Sequence, residues 1–170
     1  MVERIFAVRA ISGVDRKRGS KTVLKSDLMN TVASELVERV GSDRVVIFTP
    51  PVGYITGNCA VISDYLEKLR IRRPEIIHTM DMASITGEVT KYQKLFEEIE
   101  KRGERNVLAV GYNIFICDFT SWLLAKLGLN PYYKTAQFGK SRGIKIDIKK
   151  RTFDFFGEID YYDGGSVDYQ

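Results

Sequence analysis

Histidine is almost missing from this chain. His78 is the one imidazole in 170 residues, which excludes a multi-histidine metal site and any catalysis by a pair of histidines. Cysteine is nearly as scarce. Cys59 and Cys117 cannot make a disulfide framework and read as reduced thiols of a cytoplasmic protein. No run of about 18 apolar residues occurs, so no membrane-spanning helix is expected. The opening residues, MVERIFAVRA, read as a charged strand rather than a signal peptide. Internal repeats, low-complexity segments and interdomain linkers are also lacking. Two stretches look superficially like phosphate-binding loops, and neither has the spacing. Gly13 and Gly19 are one residue too far apart, with Ser20 where a lysine is needed, and Gly139-Lys140-Ser141 has no upstream glycine.

Charge is present and unevenly placed. The chain carries +4, but residues 158–170 hold Glu158, Asp160, Asp163 and Asp168 with no Lys or Arg, so the remainder carries +8. A basic body suits an anionic partner such as phosphate, nucleotide or nucleic acid. It equally suits the salt-bridged surface of a heat-adapted protein. With 44% hydrophobic and 28% charged residues, the expectation is one domain over residues 1–157 and an acidic tail over 158–170.

The apolar pattern alternates strand and helix. Residues 106–129, NVLAVGYNIFICDFTSWLLAKLGL, form its centre. Val107 to Val110 make an unbroken apolar run, as in a strand buried on both faces. A short turn at Gly111-Tyr112-Asn113 then opens an apolar helix, which Gly128 is placed to cap. Shorter apolar runs at Arg4–Val8, Arg44–Phe48 and Glu75–His78 predict further strands. Helices are expected from Ser26, a candidate cap, to Val40, from about Ile55 to Leu69, and from Glu88 to Arg102. Ala60, Ile62, Tyr65, Leu66 and Leu69 form the expected buried face of the second helix, and Val89 is expected to face inward on the third. The segment Arg9–Thr22 reads as a loop. Residues 131–138, 143–148 and 152–156 read as closing strands. The alternation predicts a three-layer α/β/α sandwich around a mainly parallel mixed sheet, with a C-terminal β-hairpin extension.

In such a sheet the carboxyl ends of the strands share one edge, where helix N-termini offer free N–H groups and a positive dipole. Candidate anion ligands there are Arg9, Ser12 and Arg16 after the first strand, Thr49 after the second, and Tyr112 and Asn113 at the central turn. The loop cations Arg16, Lys17, Arg18 and Lys21 are solvated charges or the mouth of an anion pocket. His78, with Asp81 and Glu88 downstream, offers the remaining candidates for acid–base or nucleophilic work.

The order and local shape of residues 5–156 resemble the histidine phosphatase (phosphoglycerate mutase-like) superfamily, in its small phosphohistidine phosphatase branch. IFAVRAI resembles the family's first strand and its Arg-His-Gly motif. RVVIFTP resembles its strand ending in Ser-Pro, and the central stretch resembles the strand, Ser-His-Gly turn and helix that carry the second histidine. The resemblance implies a phosphoryl pocket with no cofactor and no metal. It also implies where this chain departs from the family. Arg9 matches the first arginine. Ala10 stands at the nucleophile's position, Ile11 at the following glycine, Gly53 at the second arginine and Tyr112 at the second histidine. An alanine cannot accept a phosphoryl group, so the family's catalysis is expected to be lost.

Three readings stay open at this stage. One is a non-catalytic member of the fold that binds a phosphorylated small molecule or protein. Another is a phosphatase or phosphotransferase with altered chemistry through His78 or a carboxylate such as Asp81. The third is a nucleic-acid-binding α/β protein, suggested by Arg70-Arg72-Arg73 and Lys145-Lys149-Lys150-Arg151. No nucleic-acid motif or aromatic interleaving accompanies those clusters.

Overall fold

The computed structural model describes residues 1–10, 16–18, 21–23, 25–41, 43–69, 71–83, 88–129 and 142–157, with the side chains of 16–18, 21–23, 25–28, 142 and 157 excepted. The elements are β1 (Arg4–Arg9), β2 (Arg16–Arg18), β3 (Lys21–Val23), α1 (Lys25–Val40), β4 (Val45–Thr49), α2 (Gly53–Lys68), β5 (Glu75–His78), a 3-10 turn (Met80–Met82), α3 (Val89–Arg102), β6 (Asn106–Gly111), α4 (Asn113–Lys126), β7 (Arg142–Asp147) and β8 (Thr152–Gly157). The main sheet has six strands in the order β5-β4-β6-β1-β7-β8. β5, β4, β6 and β1 run parallel. β7 and β8 join antiparallel as a hairpin. The expected three-layer sandwich with a hairpin extension is the fold observed. The expected strand over 131–138 lies outside the described residues, as does the acidic tail.

Strand alternation builds the two outer interfaces. Ile5 and Ala7 of β1, Val46 and Phe48 of β4, and Val107 and Ala109 of β6 pack toward α3 and α4. Phe6, Val8, Val45, Ile47, Leu108 and Val110 pack on the other face against α1 and α2. Residues 5–8, 45–48 and 107–110 of the three central strands are apolar throughout because both faces are covered. Chain direction explains the helix sides. From β1 the chain steps through α1 and α2 toward β5, then returns through α3 and α4 toward β7. Right-handed crossovers in opposite directions put the two helix pairs on opposite faces.

Several local expectations shift. The segment Arg9–Thr22 is not all loop, since β2 and β3 pair as a small antiparallel ribbon. Ser26, expected ahead of α1, is its second residue, since the helix starts at Lys25. On α2 the buried face is Ile55, Cys59, Ile62 and Leu66; Ala60 points to solvent and Leu69 lies beyond the helix end, exposed. Ile62 and Leu66 are buried as expected and Tyr65 packs against the same cluster; the helix carries apolar residues around much of its circumference, so periodicity alone also took in Ala60 and Leu69. Val89 and Ile114, both in first turns, are exposed rather than inward. Gly128 closes α4 as expected, at φ 75°. Its N–H donates to the Ala125 carbonyl at 3.0 Å and the Leu129 N–H to the Leu124 carbonyl at 2.9 Å, the paired bonds of a Schellman motif.

The hairpin is locked to the sheet by an aromatic ring lying over a glycine. Gly143 faces Phe156 across the β7–β8 ladder, and a Cβ at Gly143 would sit 2.3 Å from the Phe156 ring. The same ring meets Phe6 edge-on at 6.1 Å and carries the Arg39 guanidinium 5.1 Å above its centroid. Phe156 thereby fixes β8 against β1 and α1.

Candidate functional site

β1 and β6 are neighbours, yet their following helices lie on opposite faces of the sheet. Their carboxyl ends therefore form a topological switch point, where open α/β sheets leave a crevice. The Ala10 N–H still donates to the Gly111 carbonyl at 2.9 Å, so the two strands stay paired to their ends. Arg9 ends β1 at this edge, 3% exposed. Tyr112, the residue before α4, follows the neighbouring strand.

Three sources of positive potential converge here. Arg9 is one. The other two are the N-termini of α2 and α4. Neither has a side-chain cap and neither carries an acidic residue in its first turn. Such helix ends leave N–H groups and the positive dipole end available to an anion.

The structure adds Tyr54, which the sequence reading passed over. It lies in the first turn of α2, one residue beyond Gly53. Its ring meets Tyr112 in a T-shaped contact at 6.2 Å, and both tyrosines are half-buried. Burial pushes the Tyr54 phenol above its ordinary value and the nearby Tyr112 phenol adds to that, while the Arg9 guanidinium opposes both. The two phenols and the guanidinium thus share one neighbourhood. At neutral pH the phenols are hydroxyl donors, suited to the oxygens of an oxyanion. The available signal for Tyr54 was positional: it sits just past a buried strand, as Tyr112 does.

The other expected site residues disperse. Ser12 lies outside the described residues. Arg16 is in β2, with its side chain likewise outside them. Thr49 ends β4 fully buried, its hydroxyl donating to the Pro50 carbonyl at 3.4 Å and interacting with the Cys59 thiol, which burial pushes up to about 11. Asn113 is also buried. Its Oδ1 accepts from the Cys117 thiol at 3.5 Å, which ties the side chain into the first turn of α4.

His78 is exposed at the end of the edge strand β5, beside Thr49. Three inter-strand spacings, roughly 14 Å, separate that strand from Arg9's. Asp81 is half-buried in the 3-10 turn, its N–H donating to the Thr79 hydroxyl. Glu88 is the residue preceding α3, exposed and with no capping bond from its side chain. Ala10, the residue after Arg9, is 7% exposed and belongs to the core cluster between the sheet and α1 and α2. No group of three or more His, Cys, Asp or Glu side chains suited to a metal ion occurs among the described residues, and no described helix is long and apolar enough to cross a membrane.

Comparison by sequence finds no matching protein-family model and no matching curated protein. Comparison by structure does. The protein histidine phosphatase SixA complexed with tungstate superposes with a TM-score of 0.58 at 14% identity, over 92% of this chain and 96% of that one. Phosphoglycerate mutase from Plasmodium falciparum gives 0.55 at 16% identity, over 98% of each chain. The α-ribazole phosphatase from Shigella flexneri gives 0.51 at 9% identity, over 92% and 96%. Strand order, layer arrangement and these superpositions agree that the chain has the histidine phosphatase fold.

Proposed function

We propose that this chain is a non-catalytic protein of the histidine phosphatase fold that binds a phosphorylated ligand, a small molecule or a phosphoprotein, in the crevice above Arg9. The observation that carries the reading is the contrast between Arg9 and Ala10. The arginine that would hold a phosphoryl oxygen is present at the end of β1, whereas the next position holds a methyl group packed into the core. Tyr112 and Gly53 stand at the other two working positions. Binding needs donors and positive potential, which Arg9, Tyr54, Tyr112 and two helix N-termini supply. Turnover by the fold's usual route needs an imidazole nucleophile. The one histidine of the chain lies three strands away from Arg9.

Tungstate, an oxyanion with the shape of phosphate, is bound by one of the structural neighbours and serves as the probe. Calorimetric titration of tungstate and inorganic phosphate into the wild type and Arg9→Ala is the test, beside phosphate-release assays on an aryl phosphate and a phosphohistidine substrate. The expected result is oxyanion binding that falls about tenfold or more in Arg9→Ala, the loss of a charge-assisted donor set, with no turnover by either protein. Turnover that Arg9→Ala abolishes would refute the non-catalytic reading. Oxyanion affinity equal in both proteins would refute the site.

A further inference from the structure

The opposite edge of the sheet holds a second basic concavity. Arg4 at the start of β1, Arg105 just before β6, and Lys145, Lys149 and Lys150 of β7 and its turn line a cleft of about 380 Å³. Five cations line it with two carboxylates, Glu3 and Asp147; Arg4 and Arg105 also pair with Asp43 at 3.4 and 3.7 Å and Lys145 with Asp154 at 3.7 Å, and both lining carboxylates are already engaged. Glu3 takes the Arg105 guanidinium at 3.0 Å, and Asp147 accepts the backbone N–H of Lys150 at 2.8 Å, which closes the β7–β8 turn. Arg105 and Arg4, together with Lys149 at longer range, hold the Glu3 carboxyl below its ordinary value. Lys149 and Lys150 are exposed, and no carboxylate among the described residues is at ion-pair distance from either. Beside the cleft, across Glu3 and Lys149, is a cavity of about 390 Å³ whose further walls are the apolar Met1, Val2 and Ile148 with Arg151 among them.

We infer that this amino-edge cleft is an anion-binding site separate from the crevice above Arg9, taking the phosphate end of a molecule of nucleotide size, with the molecule's apolar end in the adjoining cavity. Size supports this, since each cavity falls in the range of small-molecule sites. So does the division into one cationic and one apolar-walled compartment, which matches an amphipathic anion better than bare phosphate. Separation from the first site follows from β1. Its six residues put Arg4 and Arg9 roughly 17 Å apart along the strand. A nucleic-acid track is less well matched. The cations that would extend the edge, Arg44 and Arg102, are committed to Glu75 at 3.0 and 2.7 Å, and Arg44 also pairs with Glu104.

The test uses the full chain with ATP, pyrophosphate and a single-stranded RNA oligonucleotide as probes. Binding is measured by calorimetry at low and moderate salt for the wild type, the double variant Lys149→Glu/Lys150→Glu, and Arg9→Ala. Both lysines are exposed turn side chains, and a circular dichroism melt establishes that the double variant folds. The expected result is ATP binding tighter than pyrophosphate binding that the double charge reversal weakens at least about tenfold and that persists in Arg9→Ala, where any ATP captured above Arg9 is lost. No ATP binding even at low salt overturns the inference. So does ATP binding that Arg9→Ala removes and the double variant retains, which assigns the nucleotide to the crevice above Arg9, or binding confined to RNA. The tungstate titration tests oxyanion capture above Arg9 by itself.

Discussion

Replacing Gly143 by alanine tests whether the hairpin is held by close approach rather than by backbone freedom. Gly143 sits in a strand with no positive φ, so alanine suits its backbone and removes unfolded-state entropy worth about 0.5–1 kcal/mol. Contact works the other way. The new Cβ would lie 2.3 to 2.7 Å from three carbons of the Phe156 ring, about 1 Å or more inside ordinary contact of ~3.5–4 Å. The ring cannot simply slide away, because Phe6 meets its edge and Arg39 covers its face. Overpacking of this kind costs about 1–3 kcal/mol, so the net expectation for Gly143→Ala is a loss of about 1–2 kcal/mol. In a Phe156→Leu background the obstructing ring is gone, and the same change should be neutral or stabilising by up to about 1 kcal/mol. Urea denaturation of the wild type, both single variants and the double variant closes the cycle. A coupling of about 2 kcal/mol is expected. Additivity within about 0.5 kcal/mol would show that the two side chains do not meet.

Further outcomes follow from the same packing. The unfolded thiol of Cys59 ionises near its ordinary 9.0, while the buried one holds its proton to about 11. Unfolding therefore releases a proton between these values, and stability falls as pH rises through that window by up to about 2–3 kcal/mol. Urea midpoints at about pH 8 and about pH 10.5 should shift less in Cys59→Ala than in the wild type; equal shifts would exclude the thiol as the source. Gly128→Ala places a Cβ at φ 75° and should cost about 1 kcal/mol, visible as a lower melting temperature; an unchanged melt would mean that α4 does not end there. Ala10→His should lower stability, because that position is buried against α1 and α2. It should yield no phosphatase turnover in the aryl phosphate assay, since Tyr112 and Gly53 remain at the other two positions; restored turnover would contradict that reasoning.

Much of the layer structure was readable before folding, for local reasons. β1, β4 and β6 are apolar at consecutive positions, the pattern of strands covered on both faces. α3 shows a clear one-sided stripe at Tyr92, Leu95, Phe96 and Ile99, and those residues are buried. Glycines at 41, 103 and 128 all take positive φ where helices end. Arg9 and Tyr112 could be placed at one edge because each follows a strand, and parallel strands end together. The limits of the buried face of α2 were not readable, because Ala60 and Leu69 are apolar yet exposed, one on the outer face and one past the helix end. Nor were the exposed Val89 and Ile114, since first-turn residues lie where a helix overhangs its sheet.

Properties carried by runs of neighbouring residues, namely the type of the long elements and the glycine-marked helix ends, were settled by covalent order and local stereochemistry. Properties that join distant segments needed the fold. Tyr54 meets Tyr112 only because β4 lies beside β6, an order set by how three parallel crossovers cover both faces of one sheet. Thr49 and Asn113 turn inward because their polar atoms find partners in Cys59, Pro50 and Cys117, contacts that cost less than leaving them unpaired in the core. The amino-edge cleft assembles Glu3 and Arg4, Arg105, and Lys145 to Lys150, three segments that are far apart in the chain and meet because β7 returns antiparallel beside β1.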